Sequence, residues 1–355
     1  MTDQLSRRQL LERAALGGAA LTIPGFLAAC GGSSTKAGGT TSTTAEKLAK
    51  TLHFSNWTLY MDTNKKAHTF PSLLEFQKKF GVHVDYVEDI NDNASFFGKI
   101  QGQLSRGQST GRDIVVLTDN DRYLSLMIKK GWAEKLDKSA IPNMKNLVDV
   151  QKHPNFDPNR DYSLPWQSGM TGIAYNDTQT DPVLSIDDLF TNPKLKGKVT
   201  CLNSMGDALT IVMLANGDDP AKVTDKSFNA AFNRIKKAVD SKQIRQFTGN
   251  DYAPPLAKGD LTAAMSWSGD IAQLGNKHLH WNIPEAGDPK RNITGIYYIP
   301  PVAGAGAEAK KYDPAVAKNT LIFPTKAMLD KVHIFDSKAL NNQKYLTQWQ
   351  NLVSA

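Results

Sequence analysis

The order of apolar and polar positions divides the chain into alternating strand and helix signals. Residues 52–57 (LHFSNW) form a short strand signal ending in polar groups. Residues 71–80 place Leu73, Leu74, Phe76 and Phe80 at helical spacing, and Gly81 stops the helix. Residues 82–87 alternate as a strand. Residues 93–108 put Phe96, Phe97, Ile100 and Leu104 on one helical face. Residues 113–118 (DIVVLT) read as a continuous apolar strand of a parallel sheet covered on both sides, and a helix over 122–130 closes at Gly131. This βαβαβα order predicts a doubly wound α/β unit.

Residues 153–166, rich in Pro, Asn and Asp, form a candidate linker to a second α/β unit. Its predicted strands are 172–176, 198–202, 261–267 and 278–283, with helices over 207–215, 228–240 and 270–274. Residues 297–301 (YYIPP) are extended and fixed by proline, and helical segments follow at 327–332 and 344–353. No internal repeat or charge block interrupts the pattern.

The N-terminus follows a different pattern. Arg7 and Arg8 precede a mainly apolar run over 14–29, too short for a spanning helix of roughly 20 apolar residues and typical of an export signal. The Arg pair looks like a twin-arginine signal, although Glu12 stands where a basic residue is common. Leu27-Ala28-Ala29-Cys30 resembles the bacterial lipobox, which makes Cys30 the expected lipid attachment site. Residues 31–48, rich in Gly, Ser and Thr, read as a flexible tether. Cys201 is then the one thiol outside the anchor, so no internal disulfide is expected.

Composition narrows the class. A chain of 355 residues with 40% hydrophobic and 22% charged residues is neither mostly disordered nor a polytopic membrane protein. Its length suits about two domains. The formal net charge of +7 describes the solvated surface and names no ligand. Scattered Lys and Arg without interleaved aromatics give no nucleic-acid footprint. Lys196-Gly197-Lys198-Val199 lacks the glycine and hydroxyl of a phosphate loop, and Gly304-Ala305-Gly306-Ala307-Glu308-Ala309 lacks the third glycine of a dinucleotide fingerprint. No nucleophile elbow or His-Glu-x-x-His pair occurs. His278 and His280 share a strand face, which suits a solvated edge better than a metal pair. No catalysis, cofactor or metal is expected.

An exported, tethered, two-lobed α/β protein without catalytic motifs suggests a solute receptor that closes by hinge motion. Ligands of such folds sit at the carboxyl ends of strands. Those ends carry Asn56-Trp57-Thr58-Leu59-Tyr60, Leu117-Thr118-Asp119-Asn120-Asp121, Asn203-Ser204-Met205-Gly206-Asp207, Trp267-Ser268-Gly269-Asp270 and Tyr297-Tyr298. Rings attract alkylammonium groups through their faces, worth about 0.5–2 kcal/mol each, and carboxylates accept their charge-assisted hydrogen bonds. The implied ligand is a cation with apolar stretches between charges.

These strand ends resemble the spermidine/putrescine (polyamine) solute-binding proteins of ATP-driven (ABC) importers. The likeness extends through residues 88–93, 111–118, 136–138, 161–166, 172–176, 196–199, 267–270 and 321–324. It implies a two-lobed, periplasmic-binding-protein-like type II α/β fold with a hinge between lobes. By resemblance, Trp57, Tyr60 and Trp267 box a methylene chain, Thr118 bonds an amine, Asp207 pairs with an ammonium and Tyr298 closes the site. Asp270 is added from its place in the cleft. Three features depart from the family. Asn120 replaces a usual aromatic, and Gly206 replaces a usual Arg. After Gly287 the chain is shorter by about one strand and one helix, roughly 30 residues.

The expected organisation is a signal with lipobox at 1–30 and a linker at 31–48. Lobe 1 is expected from 49–162 and 285–305, and lobe 2 from 163–284 and 306–355. The expected function is capture of putrescine or spermidine at the extracytoplasmic face of the cell membrane and delivery to a membrane permease by a lipid-anchored monomer. The alternatives are a receptor for another small solute, a binding-impaired sensor, and an exported enzyme using His278, His280 or Asp270.

Overall fold

The computed structural model describes residues 49–64, 66–119, 121–284, 303, 305–312, 314–318, 322–323 and 334–355. Cys30, Asn120, Tyr298, the signal and tether, the shortened region after Gly287 and the helix expected at 327–332 lie outside the described residues. Among the described residues no helix is long and apolar enough to cross a membrane.

The first lobe is built on a three-stranded parallel sheet in the order β2-β1-β3, with β1 (Thr51–Trp57), β2 (His83–Ile90) and β3 (Ile114–Val115). Helix α1 (Pro71–Phe80) connects β1 to β2. Proline suits its first turn, and Gly81 ends it at φ 65° in the left-handed region that glycine tolerates. Helix α2 (Asn93–Ser105) is capped by Asp92, whose carboxylate accepts the Ser95 amide at 2.8 Å. Helix α3 (Arg122–Lys129) follows β3, capped by Asp121.

Two expectations for this lobe are corrected. The strand expected over 113–118 is paired as a strand only at Ile114–Val115. Beyond it, the Val116 carbonyl accepts the Trp57 indole N–H at 2.9 Å, and the Thr118 amide donates to Asn93 Oδ1 at 3.0 Å. Side chains thus take backbone groups that a longer ladder would need. Nor is β3 covered on both sides, since Ile114 is 42% exposed. Helix α1 forms as expected but buries none of its residues, with Leu74, Phe76 and Phe80 exposed.

After α4 (Asp149–Lys152), the candidate linker is held more tightly than its composition suggests. The buried Asp157 carboxylate accepts the amides of Asp161, Tyr162 and Ser163 at 2.8–3.0 Å. The second lobe holds a five-stranded mixed sheet in the order β6-β5-β7-β4-β8. Its strands are β4 (Thr171–Asn176), β5 (Val199–Leu202), β6 (Ile244–Thr248), β7 (Ala263–Trp267) and β8 (Leu279–Asn282). Strand β5 runs parallel to β6 and β7, and β4 runs antiparallel to β7 and β8. Gly172 lets β4 approach β8, since a Cβ there would lie 2.4 Å from the Asn282 carbonyl.

Helices α5 (Ile186–Thr191), α6 (Met205–Ala215), α7 (Asp225–Asp240), α8 (Ala253–Lys258) and α9 (Ser268–Leu274) complete this part of the lobe. Helices α10 (Ala305–Tyr312) and α11 (Pro314–Lys318) precede the C-terminal α12 (Gln343–Val353). The large core includes Ile173, Leu202, Leu209, Phe228, Met265 and Trp349. Cys201 is fully buried in it, which pushes its thiol pKa up. The first lobe has smaller clusters, around Trp57, Ile90, Phe96 and Ile100, and around Phe54, Met61 and Val84.

Helix α12 ties the chain end to the second sheet. Tyr345 stacks on Phe228 with centroids 3.8 Å apart, and the Trp349 indole donates to the Asn203 carbonyl at 2.8 Å. Asn203 leads into α6, so this contact supports the loop that presents Asp207. Replacing the buried Trp349 with alanine is expected to destabilise the protein by about 3–5 kcal/mol. Urea unfolding checks this, and an unchanged midpoint would contradict it.

Candidate functional site

The two sheets present their carboxyl ends to one another. In the first lobe these ends lead to Trp57, Asn91 and Thr118; in the second, to Ser204, Gly249 and Trp267. Trp57 is 2% exposed, stacks on Tyr60 with centroids 5.9 Å apart, and meets Trp267 edge-on at 5.6 Å. The intervening turn puts Leu59 at φ 67°, and the Leu59 carbonyl accepts the Gln273 side chain of the second lobe at 3.1 Å. The three rings expected to form the box are therefore brought together across the lobes. In this structure they pack on one another.

Asp207 is buried in the first turn of α6. Its carboxylate accepts the Trp267 indole N–H at 3.2 Å and the Thr171 hydroxyl at 3.0 Å. Ser204 caps the helix with a bond to the Asp207 amide. Gly206 lies within the same buried turn. Thr118 is half-buried beside the cleft, where its amide bond to Asn93 holds the loop.

Asp270 occupies a different setting. It is fully buried beneath Trp267, accepting Tyr252 Oη–H at 2.7 Å and Asn250 Nδ2–H at 2.6 Å. Tyr252 Oη in turn accepts the Trp267 amide at 2.8 Å. Burial, followed by the Asp270 charge, raises the Tyr252 pKa well above its ordinary value. Tyr252 therefore stays protonated and donates. Asp270 reaches the cleft through Tyr252 and Trp267.

Several participants were not singled out by the sequence pattern. Asn93 Nδ2 donates to Asp121 Oδ2 at 3.2 Å, while Asp121 Oδ1 accepts the Arg122 amide at 2.7 Å. Burial raises the Asp121 carboxyl pKa to about 6. The Arg122 amide opposes that shift, and the Asp207 charge across the cleft reinforces it. The strand-end position of Asp121 was its only sequence signal. Thr171, Asn250 and Tyr252 had none, because their partners are distant in sequence.

A clasp joins the lobes beside the rings. The Asn91 carbonyl accepts the Asn250 amide at 3.1 Å, and Asn91 Oδ1 accepts the Asp251 amide at 3.0 Å. Asn91 Nδ2 donates to Asp251 Oδ1 at 3.1 Å. Gly249 makes the approach possible, since a Cβ there would lie 1.9 Å from the Asn91 carbonyl oxygen.

His278 and His280 do share a face. Both bond Asp177, at 2.9 and 2.6 Å, and all three side chains are well exposed. These two bonds hold the Asp177 carboxyl below its usual pKa range. Among the described residues no group of three or more His, Cys, Asp or Glu is arranged to hold a metal ion.

Two α/β lobes meeting at aromatic and acidic strand ends define the architecture of a two-lobed solute receptor, in which a small ligand is held between the lobes. The chain belongs to the bacterial extracellular solute-binding proteins, whose family profile matches residues 73–325. It is 28% identical over 328 residues to the spermidine/putrescine-binding periplasmic protein of Escherichia coli K12, covering 86% of this chain and 88% of that one. It is 30% identical over 271 residues to the putrescine-binding periplasmic protein SpuD of Pseudomonas aeruginosa, covering 73% and 67%. A solved putative spermidine/putrescine transporter protein from Listeria monocytogenes shares the fold at TM-score 0.66 and 20% identity, covering 86% of this chain and 98% of that one. The family is one of solute-binding transport proteins, and these curated relatives are periplasmic.

The clasp yields a direct test. G249A is expected to push Asn91 away and speed hydrogen exchange at the Asn250 and Asp251 amides about tenfold, equivalent to ~1.4 kcal/mol of lost protection. Exchange at the wild-type rate would show that the lobes meet without this close approach.

Proposed function

We propose that this protein binds a polyamine such as putrescine or spermidine between its lobes and delivers it to the permease of an ABC importer. The observation that carries this reading is Asp207. It is a buried carboxylate held by Trp267 and Thr171 beside the cross-lobe contact of Trp57 with Trp267. A carboxylate suits a terminal ammonium, and the rings suit the methylene chain between charges. Trp57, Tyr60 and Trp267 supply the walls, Thr118 a polar contact and Asp207 the anchor. Asp270 acts through Tyr252 by fixing Trp267, and Tyr298 is assigned to the closing wall by family resemblance alone. The names of the curated relatives support the polyamine class.

The organisation proposed with this reading is a signal at 1–30, a tether at 31–48 and lipid attachment at Cys30, with a monomer held at the outer face of the membrane. Lobe 1 takes residues 49–162 and 285–305, and lobe 2 takes 163–284 and 306–355. The Ala303 amide donates to the Asn146 carbonyl at 2.8 Å, which supports a return of the chain to the first lobe. The packing of α12 on Phe228 and Phe247 supports its place in the second.

Calorimetric titration tests the ligand. Wild-type protein is expected to release heat with putrescine or spermidine. D207N is expected to bind about 100-fold more weakly or worse, because a buried ammonium then loses its counter-charge. No heat from wild type at about millimolar ligand would overturn the polyamine assignment and favour another solute or a sensor role.

A further inference from the structure

Between Pro165 and Thr171 the chain passes from the first lobe to the second, and each side of the crossing is tied down. On the first-lobe side, the Leu136 amide donates to the Asp161 carbonyl at 2.7 Å. The buried Arg160 donates to the Gln151 carbonyl at 2.7 Å, to Gln151 Oε1 at 3.0 Å and to the Ser163 hydroxyl at 3.1 Å. Trp166 lies edge-on to Phe54 of β1 with centroids 5.5 Å apart, and its indole N–H donates to the Tyr60 carbonyl at 2.9 Å. The last tie on this side is Ser168, whose hydroxyl accepts Gln151 Nε2–H at 2.8 Å.

The second-lobe ties begin at Met170. Its amide donates to the Ser268 hydroxyl at 3.0 Å, and its carbonyl accepts the Ser268 amide at 2.9 Å. Met170 is buried, and Thr171 opens β4, where it pairs with Trp267 and its hydroxyl donates to Asp207 at 3.0 Å. Only Gly169, which is exposed, lies between the two sets of ties. Glycine reaches backbone conformations closed to other residues, and a hinge is a short stretch that absorbs the change in φ and ψ.

We propose that this crossing pivots at Gly169 and that Ser168 is a positioning residue, its bond to Gln151 confining the rotation to that one glycine. Residues 163–168 then travel with the first lobe, which refines the boundary at 163. With Ser168 clamped, only the dihedrals of Gly169 turn. Without the clamp, Gln167 and Ser168 turn as well, so the open state gains conformational freedom that closure must remove. The freedom of one backbone residue corresponds to about tenfold in such an equilibrium. Trp166 holds the Tyr60 carbonyl and Thr171 holds Asp207, so rotation at Gly169 moves one wall of the cleft against the other. The role concerns how the cleft closes and holds for whatever solute it takes.

The test is hydrogen exchange on wild type, S168A and S168T without added solute, so its outcome is independent of the polyamine reading. The Asn250 and Asp251 amides, bonded to Asn91 of the other lobe, report opening of the cleft. Amides of β5 and β7 in the second core report unfolding. S168A is expected to speed exchange at Asn250 and Asp251 about tenfold while β5 and β7 exchange as in wild type. S168T keeps the hydroxyl and is expected to restore wild-type protection. Unchanged exchange at Asn250 and Asp251 in S168A would overturn the proposal. So would equal acceleration in β5 and β7, because the bond would then be a general stabiliser with no special hold on the pivot.

Discussion

The position of Trp267 is the constraint on which the rest of the cleft depends. Its amide is held by Tyr252, whose hydroxyl donates to the fully buried Asp270. Its indole N–H orients Asp207, and its ring meets Trp57 of the other lobe. One residue at the end of β7 thus joins the second core, the anchoring carboxylate and the contact between lobes. A buried ionised carboxylate is costly unless bonded. Asp270 accepts two short hydrogen bonds, and what they secure is the orientation of a ring three residues away in sequence, at the contact between the lobes.

In the proposed reading this arrangement couples binding to closure. The lobes meet through the Asn91 clasp, the Gln273–Leu59 bond and the ring cluster. In the proposed reading a cationic guest gains a charge-assisted bond to Asp207, whereas a neutral guest gains only ring contact. A ligand shifts a conformational equilibrium only by its differential affinity for the two states. In the proposed reading Asp207 provides that difference, and the rings set the shape of what enters.

Much of the scaffold was legible from local pattern. Residues 71–80 read as a helix because apolar spacing ends at Gly81, and Trp57 and Trp267 read as strand-end rings because each closes a short strand signal. Strand β6 was missed because it is an edge strand whose Arg245 and Gln246 face solvent, leaving little apolar periodicity. Helix α5 was missed although Ser185 and Asp188 form a capping box at its start. The end of β3 was overstated because the side chains of Trp57 and Asn93 capture backbone groups from elsewhere in the sequence.

The candidate site was legible residue by residue but not as an arrangement. Pattern alone placed Asp207 and Asp270 in one cleft. The separation of their roles follows from Tyr252 and Asn250, which lie 18 and 20 residues from Asp270 in segments without periodic signal. The contact of Trp57 with Trp267 depends on how two lobes meet, which no local pattern records. A crystal structure of the putrescine complex tests the central claim most directly. The account predicts the Trp57 and Trp267 rings parted around the methylene chain, with one ammonium about 2.8 Å from the Asp207 carboxylate. A ligand bound elsewhere, or an ammonium not touching Asp207, would contradict it.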